Sequence, residues 1–60
     1  MNEAQSLNLA VEVLREYAAR CNAELALRGR STAVRIRLAE RAQEATEAAN
    51  KLSRMAEEAK

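Results

Sequence analysis

Sixty residues carrying ten basic and nine acidic side chains make at most one small, near-neutral domain, and a chain this short buries only about 60% of its unfolded surface. Its 48% apolar fraction is thin, because 14 of the 29 apolar residues are Ala, against seven Leu, three Val, one Ile, two Met, one Tyr and one Cys. That composition excludes a large monomeric core. The lone Cys21 and the lack of His exclude an intrachain disulfide framework and a Cys/His zinc site. Oligomerisation is what remains to stabilise such a chain.

Met1 to Ser6 is polar and does not read as a signal peptide. No stretch reaches the roughly 18 apolar residues needed to span a bilayer. The expected setting is therefore soluble and cytoplasmic, without a membrane partner. Ala4, Leu7, Val11, Leu14, Ala18, Cys21 and Leu25 then recur in steps of three and four, with Ala10 and Tyr17 widening the stripe. This is the signature of an amphipathic helix, predicted over about residues 3–28. Cys21 lies inside the stripe and reads as a small buried hydrophobe.

The sequence has no Pro and a single Gly, so Gly29 is the strongest punctuation in it. Gly suits the left-handed residue that closes a helix, and Ser31 or Thr32 suits the cap of the next one. A turn is predicted at 29–31 and a second helix over about 32–59. Its expected stripe is Val34, Leu38, Ala45, Ala48 or Ala49, Leu52, Met55 or Ala56, and Ala59, with Arg41 interrupting it between Leu38 and Ala45. Val34 to Leu38 also alternates with period two, a strand signal, but the helix formers around it outweigh five residues. A single helix running through Gly29 is the other alternative. The acid-first pairs Glu16–Arg20, Glu24–Arg28 and Glu47–Lys51 at i,i+4 support the helices. The expected fold is thus all-α: one domain over residues 1–60, an antiparallel two-helix hairpin assembling into a four-helix or higher oligomer.

Three features exceed what a plain hairpin needs. Leu9, Val13, Leu27 and Ile36 fall off the apolar stripes and read as a second interface. Residues 15–41 carry seven bases and three acids, so positive charge gathers at the turn end. Arg28, Arg30, Arg35 and Arg37, with Ser31 at the start of the second helix, could hold phosphate through guanidinium forks and a helix N-terminus. Arg41 should lie level with Tyr17, and a guanidinium beside an aromatic ring suits a nucleobase. A solvated Arg loop and a core-filling Tyr17 account for the same residues without a ligand. No nucleophile–base pair, metal constellation or Gly-rich phosphate loop occurs, so no catalytic residue, metal or cofactor is expected and the chain reads as a non-enzyme.

Gly29-Arg30-Ser31-Thr32-Ala33-Val34, followed by Leu38, Glu40, Ala42 and Ala45, resembles the second helix of the small phage helical-hairpin proteins that sequester cyclic nucleotide signals of anti-phage defence. Over these 15 or so residues the likeness lies in the Arg-Ser at the turn and the Ala-rich helix. Where the family has a Leu-Glu-Glu-Ala run, this chain reads Leu38-Ala39-Glu40-Arg41-Ala42, and it lacks the Met-Trp that follows in many members. The resemblance implies an oligomer that binds its ligand between subunits through Arg and aromatic side chains, in the cytoplasm of a host cell.

The leading expectation is a homo-oligomeric binding module for a phosphate-bearing small molecule. The alternative is a protein–protein interaction module, such as an anti-activator or assembly adaptor, using the exposed apolar faces on a host protein. Nucleic acid is not an expected partner, given the net charge of +1.

Overall fold

A computed structural model of the chain describes residues 1–27 and 29–59. Two helices, α1 (Glu3–Leu25) and α2 (Thr32–Glu58), pack side by side as an antiparallel hairpin. The described residues include no strand, so the period-two run from Val34 to Leu38 is helical. Its flanking Ala, Leu and Glu favour helix, and no second strand is available to pair with it.

Each helix start is defined by a side chain. Asn2 accepts the Gln5 amide N–H at 2.8 Å, while the Gln5 side chain accepts the Asn2 N–H at 2.9 Å, a reciprocal capping box. Ser31, in extended conformation, accepts the Val34 N–H at 3.3 Å. Of the two cap candidates in the sequence, Ser31 takes the role.

α1 stops at Leu25, short of the expected 28. Ala26 donates to the Asn22 and Ala23 carbonyls and Leu27 to that of Glu24, so the last turn tightens to three-residue spacing. Gly29 follows with φ +88°, the left-handed conformation read from the sequence. The Arg35 guanidinium reaches back from α2 and donates from Nη1 to the Leu25 carbonyl at 3.0 Å. It satisfies an acceptor that the end of α1 would otherwise leave to water.

The core is made of small residues. Ala18 and Cys21 of α1 and Ala42, Ala45, Ala49 and Ala56 of α2 are buried. Leu7, Val11, Leu14, Leu25, Leu38 and Leu52 are only half-buried. No large side chain among the described residues is fully enclosed. The stripe of α2 therefore differs from expectation: Leu38, Ala42, Ala45, Ala49, Leu52 and Ala56 alternate in steps of four and three. Ala42 occupies the place assigned to Arg41, Ala49 and Ala56 are the buried members of the paired alternatives, and Val34 and Ala59 are exposed. The physical reason is that Ala42 lets the backbones approach, whereas a guanidinium there would be desolvated without a counterion. Thr46 donates its hydroxyl to the Ala42 carbonyl at 2.8 Å, which spares that partly buried hydroxyl an unmade bond.

Candidate functional site

The turn end shows what the Arg-rich segment is built to do inside one chain. Arg35 is committed to the Leu25 carbonyl, and Arg30 Nη2 lies 3.9 Å from Glu24 Oε1 with both side chains about half exposed. Such an exposed pair contributes little to stability. The Ser31 hydroxyl is occupied in capping α2. Arg28 lies outside the described residues, and with it the expected Glu24–Arg28 pair. Neither Glu16–Arg20 nor Glu47–Lys51 closes into an ion pair; Glu47 accepts instead from Gln43 Nε2 at 3.1 Å. Arg37 and Arg41 make no hydrogen bond or ion pair with any described residue.

Tyr17 and Arg41 do come together. They line one shallow cavity of about 240 Å³ between the helices, with Leu14, Glu44, Ala45 and Ala48. Ligand pockets usually enclose about 300–1,000 Å³, so one hairpin supplies a ledge here rather than an enclosure. Glu44 on the same rim opposes an anion as Arg41 attracts it. A second open cavity, about 320 Å³, lies on the other flank beside Asn22, Gln43, Thr46 and Glu47. Sequence reading missed it, because those polar residues look like an ordinary solvated face.

The predicted interface residues stand outside the core: Leu9, Val13, Leu27 and Ile36 are 49–55% exposed. They do not form one patch. Leu9 and Val13 sit one turn apart on α1, while Ile36, at about 100° per residue, faces away from the stripe of α2. Tyr17, Val34 and Met55, at 37–41%, join the exposed large apolar groups. Tyr17 is one turn beyond Val13, and Met55 lines a shallow hollow at the open end with Glu3 and Glu58.

Comparison with family models, curated proteins and solved structures finds no match to this chain.

Charge is divided along the hairpin. Residues 15–43, the turn half, carry seven bases and three acids; residues 1–14 and 44–60, the open half, carry six acids and three bases. Among the described residues no group of three His, Cys, Asp or Glu is placed to hold a metal ion, and no helix is long and apolar enough to cross a membrane.

Proposed function

We propose that the chain is a non-enzymatic helical interaction module that works in the cytoplasm as a homo-oligomer of four or more helices. The observation that supports this reading is the size of the surface left uncovered. The hairpin measures 45 × 15 × 11 Å with a radius of gyration of 13.9 Å, against about 10 Å for a compact domain of 60 residues. Its buried residues are Ala and Cys, while Leu9, Val13, Tyr17, Leu27, Val34, Ile36 and Met55 are exposed. Sedimentation equilibrium tests the reading directly. A mass at least twice the 6.6 kDa of the chain is expected, and a monomer at every concentration would overturn it.

A second reading has its own support: Arg37 and Arg41 lack partners among the described residues, and Tyr17 shares a cavity with Arg41. In this reading the assembled protein holds a phosphate-bearing small molecule, with Arg37 and Arg41 on phosphate and Tyr17 against a base. Calorimetry with cyclic di- and trinucleotides is expected to give a binding heat that Tyr17→Ala and Arg41→Ala each reduce at least tenfold in affinity. Absence of heat with every such ligand removes this reading and leaves the first one standing.

A further inference from the structure

The exposed apolar side chains are unevenly shared between the two flanks of the hairpin. Counting about 100° per residue, Val34 and Met55 fall on the same side of α2 as Arg41, which lines the cavity with Tyr17, and Val13 stands one turn from Tyr17 at the edge of that flank; all three are exposed. The opposite flank has a cavity lined by Leu25, Ala39 and Ala42 together with Asn22, Gln43, Thr46 and Glu47, and none of the exposed large apolar side chains lines it. The accessible surface of the chain is 4690 Å². A folded monomer of its mass is expected to expose about 3,900 Å². The hairpin thus leaves about 800 Å² more surface in water than a compact monomer, spread over its elongated shape, and an interface of standard size would cover about that much of it.

We propose that the Val13–Tyr17–Met55 flank docks face to face on the same flank of a second copy, about a two-fold axis that sets the two turns at opposite ends. The proposal rests on the homo-oligomeric reading and adds the surface and the orientation. Charge selects the orientation. With turns at opposite ends, the turn half, four charges positive, covers the open half of the other copy, three charges negative. With turns at the same end, like charges would face each other, which costs affinity and selects against that partner geometry.

The apolar groups follow the same symmetry. Leu14 and Glu44 both line the cavity and each is near the middle of its helix, which sets the middle level to within about one helical turn. Counting about 1.5 Å per residue from that level, Tyr17 lies about 4.5 Å toward the turn and Ala10 about 6 Å toward the open end. Val34 lies about 15 Å toward the turn and Met55 about 16 Å the other way. A two-fold axis through the middle level therefore sets α1 over α1 and α2 over α2. It puts Tyr17 over Ala10 of the second copy and Met55 over Val34 of the second copy. A large side chain meets a small one near the centre, and apolar meets apolar at the ends. This is the self-complementarity that an isologous interface requires.

Engineered disulfides test the surface and the orientation together. In a Cys21→Ala background, Val34→Cys with Met55→Cys places two thiols about 31 Å apart along one helix, far beyond the reach of an intrachain disulfide. Mild oxidation of the double variant is expected to yield a covalent dimer, doubling the mass without reductant, while either single variant stays uncrosslinked. Ala10→Cys with Tyr17→Cys, about 10 Å apart in one chain, reports the same contact near the centre should the first pair unsettle the fold. If the protein sediments as an oligomer but neither pair crosslinks, the docking proposal falls and the oligomer stands. Crosslinking of Val34→Cys alone would set the turns at the same end and overturn the orientation. A protein that sediments only as a monomer overturns both.

Discussion

Ala49→Asp is expected to unfold the hairpin at room temperature, seen as loss of the helical circular dichroism signal, whereas Ala19→Asp leaves it folded. Ala49 is 1% exposed and sits in the middle of the small-residue seam where α2 faces α1. Among the described residues no buried polar group lies in that core to receive a carboxylate, so the new charge would be desolvated without a counterion, at a cost of several kcal/mol. The wider side chain would also push the backbones apart and strip contacts from Ala42, Ala45 and Ala56. A chain of this size is stabilised by roughly 3–9 kcal/mol in total, so one such insertion consumes most of it. Ala19 is exposed on α1, where Asp for Ala costs only about 0.7 kcal/mol of helix propensity. If the two variants melted together, the Ala seam would not be the core.

The physics of periodicity explains how much of this was legible beforehand. The two helices, the burial of Cys21 and the exposure of Leu9, Val13, Leu27 and Ile36 follow from a 3.6-residue repeat, and the turn from the single Gly29 between the two stripes. The α2 stripe was less legible because it is built from Ala. Ala is equally at home in a seam and on a surface, so Leu38, Ala45 and Leu52 alone left the intervening place open, and Ala42 rather than Arg41 fills it. Of the paired alternatives, Ala49 and Ala56 are the buried ones, and Val34, near the start of α2, is exposed where the sequence put it in the stripe. The Arg35 bond to the Leu25 carbonyl spans ten residues across the turn. It depends on how far α1 unwinds before Gly29, which no residue type announces. The candidate site divides likewise: the level of Tyr17 and Arg41 followed from counting across the hairpin, but the commitment of Arg30 and Arg35 within the turn did not. That commitment matters for function. Of the Arg side chains expected at the site, those described that remain without a partner are Arg37 and Arg41, and Arg41 shares a cavity with Tyr17.

Gly29→Val is expected to cost about 2 kcal/mol and to lower the melting temperature by roughly 8–16 °C, at the 4–8 °C per kcal/mol of a domain this small. Gly29→Asn is expected to cost less than about 1 kcal/mol. Both substitutions place a Cβ where no heavy atom of the described residues beyond the adjacent ones lies within 4 Å, so neither meets a packing neighbour there. What they meet is φ +88°. A left-handed backbone costs an ordinary L-residue about 1–2 kcal/mol, with β-branched side chains the least tolerant and Asn among the most. The difference between the two variants therefore isolates the backbone contribution of the turn from any packing contribution. The comparison also bears on assembly. The turn lies at the far end of the flank proposed to self-associate, so Gly29→Asn should leave the sedimenting mass unchanged. Equal losses for Val and Asn would mean that the connection is held by contacts such as Arg35 with the Leu25 carbonyl, and that the conformation of Gly29 follows from them rather than directing the chain back on itself.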